Sequence, residues 1–303
     1  DDLSSTVSDL IDEKLTDGIA FGDVDDALED ILATVRKLEV EDAMNAVHAT
    51  DEEIDSVPLA IGKMWDLDIN RLEPNLDYVL DLQAGKRFHE QDRDTAERPL
   101  FKYVSRSVFS RPTYSLFYSL LDNYVAATGV EETASQEEVE ENNRFLDAIC
   151  STPVMKYAHQ YAVAKGWLDE LKDPADVYEF KRFLYRLWFY FYRREGQNDS
   201  SGFEHAFLGE IRDGSVIGLH NWIQILRLER SGELDYTGYI VPRRRSSPLP
   251  DGEDHILGIQ FTWQGAVKPM SSIFVGVSPE FEVAIYTLCF LALKNGVEGD
   301  DGK

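Results

Sequence analysis

The hydrophobic period of the chain changes once, at Gly196-Gln197-Asn198-Asp199. Upstream, apolar residues recur at helical spacing between proline and glycine breaks. Downstream, short runs alternate apolar with polar, as half-buried strands do. Helices followed by strands predict an α+β protein. We expect a helical N-terminal lobe, then a lobe of antiparallel sheets with flanking helices that carries the chemistry.

Residues 1–57 place Leu28, Ile31, Leu32, Val35 and Leu38 at helical spacing and read as an acidic helical extension that the rest of the chain can do without. Its cluster Asp23, Asp25, Asp26, Glu29 and Asp30 lacks the ligand order and central glycine of a calcium loop, so a solvated helix face is expected. Residues 58–303 read as the main domain, divided into a helical lobe, 58–196, and a catalytic lobe, 197–303. Residues 61–166 look helical, punctuated by Pro74, Gly85, Pro99, Pro112 and Gly129. Ser135 and Glu138 form a capping box, and Thr152-Pro153 opens the next helix. A helix from about 175 to 194 carries Tyr178, Phe180, Phe183, Tyr185, Trp188, Phe189, Phe191 and Tyr192; such a stripe is more often core than a base-stacking surface. Strands are expected at 203–211, 236–241, 255–263 and 272–277. A helix should start beside His220, and another after Ser278-Pro279.

At 303 residues and 43% hydrophobic, the chain can bury a substantial core. Its formal charge of -26 is unusual for a protein that grips a phosphate backbone. Residues 1–56 hold 18 acidic and 3 basic side chains, which is -15 of that total and leaves -11 for the remainder. Cys150 and Cys289 lie in apolar surroundings and read as small core residues. The longest apolar run, 283–293, is too short to cross a bilayer, and a cytoplasmic or nuclear home is expected, with secretion left open.

Two histidines stand in compact motifs, Phe203-Glu204-His205-Ala206-Phe207 and Leu219-His220-Asn221-Trp222, and Lys268 follows. An imidazole titrates near pH ~6.5, so a pair can supply one general base and one general acid at neutral pH. A lysine adds fixed positive charge where phosphate oxygens become more negative. These groups suffice to move a phosphodiester bond with the substrate's own hydroxyl as nucleophile. RNA has that hydroxyl and DNA does not.

Residues 200–210, 218–224, Leu234-Asp235-Tyr236, Gln260-Phe261-Thr262-Trp263, Lys268 to Ser272 and Ser278-Pro279-Glu280-Phe281-Glu282 together resemble the poly(U)-specific endoribonuclease (EndoU) family. Trp65 to Leu72 and Asp77-Tyr78 extend the likeness upstream. The resemblance implies uridine-directed cleavage of single-stranded RNA, leaving 2′,3′-cyclic phosphate and 5′-hydroxyl ends; a monomer is expected, with no membrane and no DNA cleavage. It further implies His205 as acid, His220 as base and Lys268 as charge stabiliser. Ser272 would read the uracil edge, with Asn221 as a further donor. A divalent cation, manganese or else calcium, would assist, through ligands that no spacing reveals. Glu204 and Glu210 would support an imidazole or a metal, and Arg243 and Arg244 would clamp RNA phosphates. Family members continue into strands bearing a base-contacting tyrosine, whereas this sequence runs from Lys294-Asn295-Gly296 into an acidic tail, so a looser base preference is expected. An RNA-binding protein of the same fold with little turnover, or an acidic interaction module, are the rival readings.

Overall fold

The structure is a computed structural model; it describes residues 24–90, 93–242 and 254–296, with the backbone alone for residues 24–30. The acidic cluster from Asp23 to Asp30, like Leu28, therefore lies outside the described side chains, and Arg243 and Arg244 lie outside the described residues. Helices α1 (Val24–Asn45), α2 (Asp51–Asp55) and α3 (Val57–Asp66) come first. The Thr50 hydroxyl accepts from Glu53 N while the Glu53 carboxylate returns to Thr50 N, which fixes the start of α2.

Strands β1 (Tyr78–Leu80), β2 (Gly85–Lys86) and β3 (Phe101–Val104) then interrupt a stretch that reads as helical in sequence. Elements of two to four residues are too short to show a period. Four helices follow, α4 (Pro112–Ser119), α5 (Gln136–Cys150), α6 (Pro153–Ala164) and α7 (Val177–Phe189). The Ser135–Glu138 capping box forms as expected, and Asp176 caps α7 through Tyr178 N. On α7 the aromatic stripe divides: Phe180, Phe183, Trp188 and Phe189 are buried, while Tyr178 faces solvent.

The second half holds the hairpin β4 (Glu210–Arg212) and β5 (Ser215–Ile217), helix α8 (Trp222–Ser231), strands β6 (Leu234–Ile240), β7 (Ile256–Trp263) and β8 (Ala266–Phe274), and helix α9 (Pro279–Lys294). Asp213-Gly214 and Gln264-Gly265 turn their hairpins with positive φ at both positions, the conformation whose twist suits two-residue connections. The four-stranded sheet runs β2-β6-β7-β8, antiparallel except that β2 lies parallel to β6. Segment 85–86 thus completes the sheet of the second half, and the two halves share one sheet. Buried Lys86 ties this junction, its ammonium donating to Arg93 O at 2.5 Å, Thr237 O at 2.8 Å and the Gln260 side chain.

Three sequence expectations change. Residues 203–211 form a single π-helical turn, Glu204–Leu208, before β4 instead of one strand. Phe203 and Phe207 are both fully buried at a spacing of four, which belongs to a turn of helix. Strand β8 starts at Ala266 and so already carries Lys268. Cys150 is buried as expected, but Cys289 lies on the outer face of α9 beside exposed Phe290 and Leu293. Among the described residues no helix is long and apolar enough to cross a membrane.

The acidic N-terminal segment is attached to the body. Ala43 and Val47 belong to the hydrophobic core. Arg36 donates to Ile69 O at 2.7 Å, Tyr157 donates its hydroxyl to Glu53 at 3.1 Å, and Lys165 donates to Ile54 O at 3.0 Å. Removing residues 1–56 is therefore expected to lower the melting temperature by at least about 5 °C, since losing a few kcal/mol shifts a domain of this size by several degrees. Calorimetry of the truncated protein checks this, and an unchanged melting temperature would show that the segment contributes nothing to the core.

Candidate active site

His205 stands on the π-helical turn, whose geometry is marked by Gly209 N donating to Glu204 O at 2.8 Å. Ser201 and Glu204 cap this turn reciprocally, Glu204 N to the Ser201 hydroxyl at 3.1 Å and Ser201 N to the Glu204 carboxyl at 3.2 Å. The His205 ring is partly exposed, and its Nδ1 lies 2.7 Å from Glu210 Oε2. Glu210 is fully buried, with its second oxygen 3.1 Å from Arg194 Nε. A carboxylate at Nδ1 fixes the ring's orientation and leaves Nε2 for substrate.

His220 precedes α8. Its Nδ1 donates to the backbone carbonyl of Ser272 at 2.9 Å, which leaves the lone pair of the neutral ring on Nε2. Burial holds its pKa below the ordinary imidazole value, partly opposed by the Ser272 carbonyl, with Lys268 and His205 adding repulsion. Lys268, on β8, donates to Val216 O at 3.3 Å, and burial lowers its pKa as well. From the same strand, buried Ser271 sends its hydroxyl to Leu219 O at 2.6 Å, whereas Ser272 is exposed. The two serines face opposite sides, as residues one apart on a strand must.

The two histidine segments meet backbone to backbone. Leu219 N donates to His205 O at 3.1 Å and His220 N to Ala206 O at 2.9 Å. A Cβ on Gly218 would lie 1.8 Å from His205 O, and its φ of +65° independently favours glycine. Leu219 follows with φ +60°, a strained value for a side chain of its size, so the crossing holds His220 against local preference.

Other expected site residues fall elsewhere. Asn221 is wholly buried and cannot meet substrate: its side chain accepts from Gln224 N at 2.9 Å, capping α8, and donates to Glu282. It positions His220 from behind. Glu204 serves its capping box and a carboxyl pair with Glu132, with no contact to either imidazole. Burial, then the charges of Glu132 and Glu210, push its pKa up to about 9, which keeps it neutral at pH 7. Sequence reasoning missed Arg194, which nothing distinguishes from its neighbour Arg193. Asp199 holds it in place by accepting from the backbone N–H groups of Arg194, Glu195, Gly196 and Gly129, bonds that keep the Asp199 carboxyl well below the usual range.

Among the described residues, no three His, Cys, Asp or Glu side chains come together so as to hold a metal ion. Buried Asp68, Glu280 and Glu282 each keep one oxygen without a hydrogen-bond partner. However, burial raises all three pKa values, that of Asp68 to about 7 with help from Glu280, and protonated carboxyls are poor ligands. The described residues do not fit a preformed manganese or calcium cage.

Comparison with known proteins places this geometry in context. The family model of endoribonuclease XendoU matches residues 57–299. Uridylate-specific endoribonuclease B of Danio rerio is 48% identical over 241 residues, covering 78% of this chain and 83% of its own length. Poly(U)-specific endoribonuclease-A of Xenopus laevis is 44% identical, covering 76% and 79%. The solved structure of XendoU, described as a splicing independent snoRNA processing endoribonuclease, aligns with a TM-score of 0.68 at 43% identity, over 78% of this chain and 83% of that one.

The Gly218 crossing gives a direct expectation. Gly218→Ala should destabilise the fold by about 3 kcal/mol, from backbone strain plus the displaced His205 carbonyl. Urea unfolding measures it, and a loss below about 1 kcal/mol would mean that the two segments separate without penalty.

Proposed function

The chain belongs to the XendoU endoribonuclease family, and we propose from that premise that His205, His220 and Lys268 cleave single-stranded RNA at uridines. Nε2 of His220 removes the proton from the 2′-hydroxyl. The O2′–P bond forms as the P–O5′ bond breaks, and Nε2 of His205 gives its proton to the departing oxygen. The ends are a 2′,3′-cyclic phosphate and a 5′-hydroxyl. Lys268 meets the charge that gathers on the phosphate oxygens.

The observation that carries this reading is the contrast between partners. One imidazole turns Nδ1 to a carboxylate, Glu210, and the other to a carbonyl, Ser272 O, so two differently held rings each leave Nε2 for the substrate at one crossing. Ser272 offers an exposed hydroxyl, able to donate and to accept, to the uracil edge. Arg243 and Arg244 would hold flanking phosphates. A divalent cation, manganese or calcium, would be held chiefly by the RNA phosphate oxygens and would screen their charge, and the roles of His205, His220 and Lys268 do not depend on it.

Replacing the single 2′-hydroxyl at the cleavage site by hydrogen should abolish cutting of a U-containing oligonucleotide. Gel analysis of products decides it, and continued cleavage rules out internal attack.

The pH profile is a second test. His220 has its pKa depressed below 6.5, chiefly by burial, so it is neutral at pH 7 and charges only as pH falls further. The acid limb of kcat/KM should lie below pH 6.5. Folding stability follows the same sign, because the unfolded chain binds the proton more readily and the neutral-state contribution is lost as pH falls. An acid limb above 6.5 that disappears in His220→Ala would contradict the assigned base.

A further inference from the structure

The geometry points to a single-stranded RNA track along the outer face of α7, leading into the site; it rests on the endoribonuclease reading for its polarity but is testable as binding alone. The chain has 56 acidic and 30 basic side chains, yet residues 177–194 hold five cations, Lys181, Arg182, Arg186, Arg193 and Arg194, against one acid, Glu179. Charge of that sign in so acidic a protein marks a place built for an anion.

The aromatic residues divide by chemistry. Every phenylalanine of α7 is buried, whereas Tyr178 is 62% and Tyr190 59% exposed. Spacings of three and four place Tyr178, Lys181, Arg182, Tyr185 and Arg186 on one face, and with Tyr190 they line a hollow of about 260 Å³ that no acidic side chain lines. Arg186 makes no ion pair among the described residues. Lys181 and Arg182 are partnered by Asp147 at 2.6 Å and Glu179 at 3.2 Å, which hold them in place without covering the hollow. Tyr185 and Tyr190 meet edge to face with centroids 6.0 Å apart, so ring surface remains open to a planar base. Cations for phosphates interleaved with rings for bases is the pattern by which proteins hold single strands with little sequence preference.

The track has a direction. Tyr178 to Tyr190 spans roughly 18 Å at 1.5 Å per residue. Beyond it comes exposed Tyr192, whose hydroxyl accepts from Arg194, and Arg194 pairs with Glu210, the partner of His205. These contacts connect the end of the track to the proposed general acid. An acidic peptide could use the cations but gains little from the tyrosines, so RNA is the occupant that uses both.

The test is fluorescence anisotropy with a labelled 2′-O-methyl oligouridine of about 15 nucleotides, which lacks the nucleophilic hydroxyl and stays intact whether or not the protein cleaves RNA. Tyr178→Ala combined with Tyr190→Ala should weaken binding about tenfold or more, and these exposed positions should leave the melting temperature unchanged. Arg182→Gln combined with Arg186→Gln should weaken binding and reduce the salt slope of log K by about 1.4, the share of two phosphate contacts on a single strand. If neither double variant alters binding, or if a polyglutamate peptide is weakened as much as the oligonucleotide by the tyrosine pair, the track is not an RNA site. Turnover of a uridine dinucleotide should be equal in wild type and variants, and a parallel loss there would mean that the face acts through folding of the site.

Discussion

The site depends on one close approach, Gly218 against the carbonyl of His205. Between the two histidine segments lies only the β4–β5 hairpin, and its register aligns Glu210 with Ile217. Glu210 is the partner of His205, and Ile217 leads straight into Gly218 and His220. The hairpin therefore sets two things at once: which side of β4 the Glu210 carboxylate faces, and how far His220 lies from His205. Slipping the register by one residue would turn Glu210 away from the imidazole and move the crossing. The Asp213-Gly214 turn prevents this by fixing the loop at two residues.

The many acids are easier to reconcile with a polyanionic substrate once their places are known. Glu210 is buried against Arg194 and His205, and Glu229 accepts from Leu100 N and Phe101 N at 2.6 and 3.0 Å. Glu132 accepts from Val125 N, and Asp68 from Ser278 N. These carboxyls fasten loops to the core and are turned away from solvent. Burial also raises Glu229, Glu280 and Glu282, and lifts Glu204 to about 9 and Asp68 to about 7, so these last two carry less than full charge near neutrality. The formal -26 overstates what an approaching strand of RNA meets, and the cations of α7 stand out the more against it.

What the sequence discloses follows length and chemistry. Helices with a cap and several turns, such as Gln136–Cys150 and Pro279–Lys294, are legible because a hydroxyl, a proline and a sustained period mark them together. The three short strands before residue 105 and the π-helical turn are not, since none completes a period. His205, His220 and Lys268 are visible as residue types within motifs. The structure brings their segments together but gives the neighbours different tasks: Asn221 is a cap where a donor to substrate was expected, Glu204 a capping acid, and Ser271 a brace. Burial separates those tasks, and burial of a polar residue depends on contacts with elements far away in the chain, Asn221 with Glu282 and Ser271 with Leu219.

Strand β8 shows how closely these tasks are joined. Its carbonyl at Ser272 fixes the tautomer of His220, its Ser271 hydroxyl holds the residue before that histidine, and its Lys268 reaches Val216 in the middle of β5. The exposed hydroxyl of Ser272 belongs to the same residue whose carbonyl sets the base. Any contact of that hydroxyl with a nucleobase is therefore one residue's width from the imidazole proposed as the base. A nucleobase that pulled Ser272 out of line would lengthen the bond to Nδ1 of His220 and loosen the ring's orientation. A base that fits leaves it intact. Under the proposed roles, selectivity at this position would act on the chemical step as well as on binding, because the backbone of β8 connects the two directly.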